Sequence, residues 1–280
     1  MAITTTVITG ATSGIGEATA FALAKKGHAL YLLVRNVPKG EELKQKLIEE
    51  TGNKNIHIIN CDLADLASVA AAVNQLKEKL FNVNILINNA GGMFNDFTLS
   101  EDGFEMTFAL NHLGHFLLTT NLMPLLEKGH ARIINVSSDM HKMGKPNFDS
   151  LQNPEKYSAM KAYGNSKLFN IYFTKSIAEK YGDKGVTAYA LHPGVVKTNF
   201  NAKLKGGLKL LFSLATPFMI TPEKGAETSI YLATAPKLET KSGLYFYKKK
   251  IIKTSSAATD VNARNKLWQL SEELTTKFIM

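Results

Sequence analysis

The chain of 280 residues contains one cysteine, Cys61. No intrachain disulfide can therefore form, and a reducing compartment is expected. Long apolar runs are missing as well: nothing approaches the roughly 18 to 20 consecutive apolar residues that span a bilayer. The N-terminus, MAITTTVITGATSG, has no basic region followed by an apolar one, so it does not follow the secretory signal pattern. These absences together lead to the expectation of a soluble, unprocessed, cytoplasmic protein. Tandem repeats, low-complexity linkers and compositional breaks are also missing. With 45% hydrophobic residues the chain can bury a substantial core, and one domain over residues 1–280 is expected.

Acidic residues are the scarcer charge, 24 against 33 Lys and Arg, which leaves a net charge of +9. Such an excess favours polyanions: nucleic acid, an anionic membrane surface or a phosphorylated cofactor. Apart from Lys248, Lys249, Lys250 and Lys253, and a looser set at Lys203, Lys205 and Lys209, the lysines are scattered over polar helix faces. No nucleic-acid partner is expected. His112 and His115 have no Cys or carboxylate cluster beside them, so they are assigned to packing or hydrogen bonding and no metal site is expected.

What is present is a regular alternation. Short β-rich runs occur at 4–9, 29–34, 55–60, 84–88, 131–136 and 186–191, and amphipathic segments at 15–26, 39–51, 65–80, 101–126 and 157–181. Near-continuous apolar strands separated by helices predict an α/β fold, a doubly wound parallel sheet in a three-layer α/β/α arrangement with right-handed crossovers. The tail from Thr259 to Phe278 reads as a further amphipathic helix, with Trp268 packed. Two stretches interrupt the rhythm: an insert at about 139–160, whose His141 and Met143 either line a substrate mouth or serve the loop, and an apolar lid at about 195–221. The lid has two readings, a cover over an apolar substrate or a contact with an anionic membrane or a subunit.

The first strand runs into TGATSGIG, where Gly10, Gly14 and Gly16 sit at a strand-to-helix junction. Missing Cβ atoms permit a tight turn close to a pyrophosphate, and the following helix aims its N-terminal N–H groups at the anion. Gly10, Thr12, Ser13, Gly14, Ile15 and Gly16 are therefore assigned to a dinucleotide in a Rossmann fold. The second strand ends in Arg35 and Asn36, with no Asp or Glu to take ribose hydroxyls. Arginine matches a phosphate with a planar fork of donors, so NADP(H) is favoured over NAD(H).

Tyr163 and Lys167 lie one turn apart in KAYGNSKLFN, on one face of a predicted helix. An unperturbed phenol must drop by about 3 pKa units to work near neutrality, or roughly 4 kcal/mol. A positive charge at about 4 Å supplies roughly that much at an effective dielectric of about 20.

Taken in order, TGATSGIG, Asp62-Leu63, NNAG (88–91), Asn111 in NHLGHF, NVSS ending at Ser138, YGNSK (163–167) and HPGVVKT (192–198) resemble the short-chain dehydrogenase/reductase family, over most of the chain. NHLGHF, INVSSDMH and YGNSKLFNIYF are similar to its retinol-dehydrogenase-like branch. Membrane-bound members of that branch carry an N-terminal hydrophobic anchor; this chain starts at its first strand, so membrane residence is not carried over. The resemblance implies an oxidoreductase acting on an apolar carbonyl or alcohol. In it, Tyr163 is the acid or base, Lys167 holds the nicotinamide ribose and lowers the phenol, Ser138 bonds the substrate oxygen, and Asn111 supports a proton-relaying water. It further implies Asp62 and Leu63 at the adenine, Asn89, Ala90 and Gly91 along the ribose side, and Pro193, Gly194, Val195 and Thr198 at the carboxamide and phosphates. Homodimers or homotetramers that bury the outer face of the catalytic helix are implied too. The alternatives are a non-catalytic NADP(H)-binding redox sensor and, disfavoured by the glycine spacing, an epimerase or dehydratase of the extended branch.

Overall fold

The computed structural model describes residues 3–197 and 219–279. Six strands fall where the apolar runs predict them: β1 (Thr5–Thr9), β2 (Ala29–Val34), β3 (Ile56–Asn60), β4 (Ile85–Asn88), β5 (Arg132–Val136) and β6 (Thr187–His192). Two short ones, β7 (Tyr245–Tyr247) and β8 (Lys250–Ile251), extend the sheet to the order β3-β2-β1-β4-β5-β6-β7-β8, parallel throughout except for β8. Because β1 pairs with both β2 and β4, the chain changes direction of winding beside β1, which opens a crevice at the carboxyl ends of these strands.

Both faces of the sheet are covered, which is why its strands read as continuous apolar runs. On one side pack α1 (Gly14–Lys25), α2 (Val37–Thr51) and α8 (Pro222–Thr234), with Leu23, Leu47 and Leu232 in the core. On the other lie α3 (Leu66–Lys79), α5 (Gly114–Asn121), α7 (Ala159–Tyr181) and α9 (Val261–Thr275), contributing Leu76, Phe116, Tyr172 and Trp268.

The amphipathic segment expected over 101–126 is not one helix. Glu105 acts as the N-cap, accepting from Thr107 N at 2.7 Å and Phe108 N at 2.8 Å, so helix starts at α4 (Met106–Phe108). A π-helical turn follows at Ala109–Leu113, then α5, and Pro124 restarts the chain as α6 (Met123–Lys128). The insert folds as three short 3-10 turns rather than an extended loop. The lid falls almost entirely outside the described residues, among them Thr198, the lysines at 203, 205 and 209 and the apolar positions from Leu208 to Phe218. Its two ends are described: Val196 and Ile220 form a parallel bridge, with Ile220 N donating to Val195 O at 2.9 Å.

Helix α9 lies across α5 and α7. Trp268 meets Phe116 edge-on at 5.0 Å and stacks near Phe173, and His112 approaches Ser271 Oγ at 2.8 Å. Ser271 donates its own proton to Leu267 O, so it accepts from His112 Nε2–H. Trp268 is 6% exposed. Replacing Trp268 with alanine is expected to cost about 3–5 kcal/mol, read by urea unfolding; a loss below about 1 kcal/mol would show that α9 contributes little to the core.

Candidate active site

The site is built where β5 stops against α7. Val136 O accepts two hydrogen bonds from that helix, from Lys167 Nζ at 3.1 Å and Asn170 Nδ2 at 3.0 Å, and Ser137 Oγ donates to Lys167 O at 2.6 Å. Backbone can come this close because α7 carries Gly164: a Cβ there would lie 3.1 Å from Met140 O. Ser138, the next residue after this clamp, hydrogen-bonds the Tyr163 phenol through its hydroxyl, and its Oγ also accepts from Met140 N at 3.2 Å. Lys167 Nζ sits 5.4 Å from the centre of the Tyr163 ring.

Both ionisable groups are desolvated. Burial pulls the Lys167 ammonium down to about 8 and pushes the Tyr163 phenol above its ordinary range, an effect the Ser138 bond offsets in part. The net lowering of Tyr163 expected from its neighbouring lysine is therefore not found in the protein alone, where burial dominates and the Ser138 hydroxyl is what opposes it.

Asn111 lies in the π-helical turn, and its amide is fully engaged. Oδ1 accepts from Gly92 N at 2.8 Å, while Nδ2 donates to Gly92 O and Ser166 Oγ, each at 2.9 Å. Ser166 passes the link on to Tyr163 O at 2.8 Å. Asn111 and Lys167 meet at Gly91, where an added Cβ would be 3.3 Å from both Asn111 Oδ1 and Lys167 Nζ. His115 Nδ1 lies 3.3 Å from Asn111 O and its Nε2 2.9 Å from Thr9 Oγ1. Asn111 O can only accept, so the ring proton resides on Nδ1, and Nε2 faces Thr9 Oγ1, which accepts from Asn89 N and Ala90 N and also lies 3.4 Å from Ile87 O. His115 thus joins Asn111 to the strand that bears the glycine turn.

Two cavities meet here. One, of about 510 Å³, is lined by Ser138, Tyr163, Lys167, Pro193, Gly194 and Val195, with Val136, Met140, Met143, Val196 and Met219 as apolar wall. The other, of about 460 Å³, is lined by Gly10, Thr12, Ser13, Gly14, Gly16, Arg35, Asn36, Asp62, Leu63 and Ala90. Ile15, Asn89 and Gly91 line both, so the two form one cleft. Every residue assigned from the sequence lines this cleft except Asn111, which braces it from behind, and Thr198, which is outside the described residues.

The glycine turn suits an anion. Gly10 and Gly14 have φ of 66° and 58°, and a Cβ on Gly16 would collide with Gly10 O and lie 2.6 Å from Asn89 Nδ2. Ser13, at the N-cap of α1, makes no side-chain cap hydrogen bond, so the first N–H groups of that helix are left for a ligand. At the far end Arg35 is 66% exposed and 3.8 Å from Asp62, and Lys39 completes a cationic corner. Asn36 has a second job, capping α2 by accepting from Lys39 N at 3.0 Å.

Several contributors were missed or misjudged from sequence. Lys39 lies in the first turn of α2, just after the strand end that carries Arg35. Asn170, which carries no sequence signal of its own, holds the strand end through Val136. Of the two insert residues, Met143 lines the cavity, whereas His141 is fully buried behind Ser138. His192 also lines the cavity and accepts from Asp139 N at 3.2 Å. Among the described residues, no group of three or more His, Cys, Asp or Glu is arranged to hold a metal ion, and no helix is long and apolar enough to cross a membrane.

A doubly wound sheet whose anion-binding turn opens into the same cleft as a Tyr–Ser–Lys cluster defines an α/β oxidoreductase. More narrowly, the chain belongs to the short-chain dehydrogenase family: the sequence model described as short chain dehydrogenase matches residues 4–208. It is 42% identical to mouse retinol dehydrogenase 12 over 271 residues, covering 96% of this chain and 85% of that one. The crystal structure of an uncharacterized protein from Mycobacterium paratuberculosis superposes with a TM-score of 0.79 at 32% identity, covering 98% and 93% of the two chains. Carbonyl reductase from chicken fatty liver, solved with NADPH, shares the fold with a TM-score of 0.67 at 23% identity over 91% and 100%.

Burial also holds three histidines neutral: His112 is pulled down to about 3, and His115 and His192 to about 4. The unfolded chain, titrating near 6.5, then binds more protons than the native one between about pH 6.5 and 4, so stability is full above 6.5 and falls as pH drops through that window. The melting temperature is expected to decline from pH 6.5 to 5 and to decline less steeply in His112→Phe. A melting temperature flat across that range would show that these rings are not held neutral.

Proposed function

We propose that the protein interconverts an apolar aldehyde or ketone with its alcohol using NADP(H), with Tyr163 as the proton-transfer group. The reading rests chiefly on one observation: the Ser138 hydroxyl and the Tyr163 phenol are hydrogen-bonded to one another in an apolar-walled cavity that is continuous with the glycine turn. A substrate oxygen placed between them accepts from both hydroxyls. In reduction the phenol proton passes to that oxygen as it becomes an alkoxide, and in oxidation the phenolate takes it back. The bound nicotinamide supplies or accepts the hydride. A phenol held protonated by burial suits the reductive direction. Lys167, four-hundredths exposed and bonded to Val136 O, is placed to hold the ribose and to offset the cost of phenolate.

The remaining assignments follow the cleft. Gly10, Thr12, Ser13, Gly14, Ile15 and Gly16 take the pyrophosphate, Asp62 and Leu63 the adenine, Asn89, Ala90 and Gly91 the ribose side, and Pro193, Gly194, Val195 and Thr198 the carboxamide end. Arg35, Asn36 and Lys39 favour a 2′-phosphate. The mouse relative is named for retinol, an apolar alcohol that fits the same substrate class. The lid leaves from Val196 and returns at Met219, both on the cavity wall, which supports its role as a substrate cover. Copies that associate as a homodimer or homotetramer would use a surface other than the α7 face beside Phe173, which α9 occupies. A cytoplasmic setting accords with the buried free Cys61, whose thiol burial pushes up to about 12.

Against a panel of apolar aldehydes and ketones, wild type is expected to oxidise NADPH, and Tyr163→Phe to lose about 10²- to 10⁴-fold in kcat with cofactor affinity retained. Cofactor binding without turnover across the panel would instead support the sensor. Arg35→Ala is expected to lower kcat/KM for NADPH about tenfold or more and to leave that for NADH nearly unchanged; a wild type that prefers NADH would overturn the NADP(H) assignment.

A further inference from the structure

His141 stands directly behind the proposed oxygen-binding serine. Its ring is fully buried, with Nδ1 2.8 Å from Ser138 O and Nε2 accepting from Ser255 N at 3.1 Å. A backbone N–H can only donate, so Nε2 is unprotonated. The neutral ring therefore carries its proton on Nδ1 and donates it to Ser138 O. The same carbonyl accepts from His141 N at 3.1 Å, so a single residue holds it twice. The ring lies edge-on to Tyr245 of β7 at 5.0 Å, which fixes its plane.

The other end of this link is anchored independently. The connector between β8 and α9 is pinned to the catalytic helix by Tyr172, whose hydroxyl donates to Ala257 O at 2.7 Å, and by Lys175, whose ammonium donates to Ala258 O at 2.6 Å. Ser255 lies two residues before the first of these anchors. Beyond Ser138 the chain enters the short 3-10 turn Asp139–Met143, whose first residue is tied to His192 through Asp139 N; the His141 ring adds the tie that reaches Ser138 O itself from the C-terminal connector.

We propose that His141 is a positioning residue: as the Nδ1–H tautomer it ties the Ser138 backbone to the anchored C-terminal connector, and so sets the place of the Ser138 hydroxyl against the substrate oxygen. The inference rests on the role given to Ser138 above. Small misplacements of such a group cost catalysis steeply, because the bond is needed most where charge develops on the oxygen.

The test compares His141→Leu, which has neither donor nor acceptor, with His141→Gln, which has one of each, alone and in a Ser138→Ala background. His141→Leu is expected to lower kcat about ten- to a hundredfold with the dissociation constant for NADPH unchanged, and His141→Gln to recover most of the loss. In the Ser138→Ala enzyme, His141→Leu is expected to add no further loss, as for two residues acting through one bond. The same factor lost in both backgrounds, or full activity in His141→Leu beside an impaired Ser138→Ala, would overturn the inference alone. A Ser138→Ala enzyme as fast as wild type would overturn the reading of the site along with it. Should His141→Leu not fold, ¹⁵N NMR of histidine-labelled wild type decides: an Nδ1–H signal for His141 is expected, and an Nε2–H tautomer overturns the link.

Discussion

Much of this molecule depends on one carbonyl oxygen. Val136 O closes the last residue of β5 and accepts at once from Lys167 Nζ and Asn170 Nδ2. A buried carbonyl with two donors from the same helix fixes that helix in rotation and in height against the strand. Rotation decides which face of α7 meets the cleft, and height decides that Tyr163 comes level with Ser138. Gly164 and Gly144 help the helix sit that close, since a Cβ on either would crowd the other side of the contact, 3.1 Å from Met140 O and 3.0 Å from Gly164 O respectively. A structural clamp and a reactive group thus share one lysine, and Lys167 is oriented before any cofactor ribose arrives.

The same closeness creates the site's main electrostatic tension. Desolvation acts against both charged forms, raising the phenol and lowering the ammonium. A reading from spacing counts only the attraction between the two, and so predicts a depressed tyrosine. The structure adds the cost of removing both from water. What lowers the phenol within the protein is the Ser138 hydroxyl, and the positive ring of an oxidised nicotinamide lies outside the chain. The phenol in the cofactor-free protein is therefore a proton donor, and becoming a base depends on what fills the cleft.

The sheet was legible because each parallel strand is buried on both faces and reads as an unbroken apolar run; the predicted and observed limits differ by a residue at most. β7 and β8 were not legible, since three and two residues carry little pattern and their turn uses Lys248 and Lys249 at φ of 48° and 64° in place of glycine or asparagine. The break of 101–126 into several pieces depends on Glu105 turning back to cap its own helix, which no periodicity announces. For the site, the residues with their own chemistry stood out, namely the glycine turn, Ser138, Tyr163 and Lys167. The residues that orient them did not. Asn170, Ser166, His115 and His141 act through partners 34, 55, 106 and 114 positions away, and such pairings exist only once the chain has folded.

These supporting residues share a physical logic. His112, His115 and His141 are all buried, and each is assigned one tautomer by a neighbour whose own role is fixed: a serine already donating to a carbonyl, a carbonyl that can only accept, and a backbone amide that can only donate. A neutral imidazole so held is a rigid spacer with one donor and one acceptor at opposite ends. His115 and His141 each join two polar groups in this way without bringing a charge into the core, whereas His112, among the described residues, bonds through Nε2 alone. His112 joins the π-helical turn to α9, His115 joins that turn and α5 to β1, and His141 joins the Ser138 turn to the C-terminal connector. The elements that carry the reactive groups are thereby braced against parts of the fold that touch no ligand. The C-terminal segment, which lies beyond the 4–208 region matched by the family, reaches the catalytic centre through two of these rings.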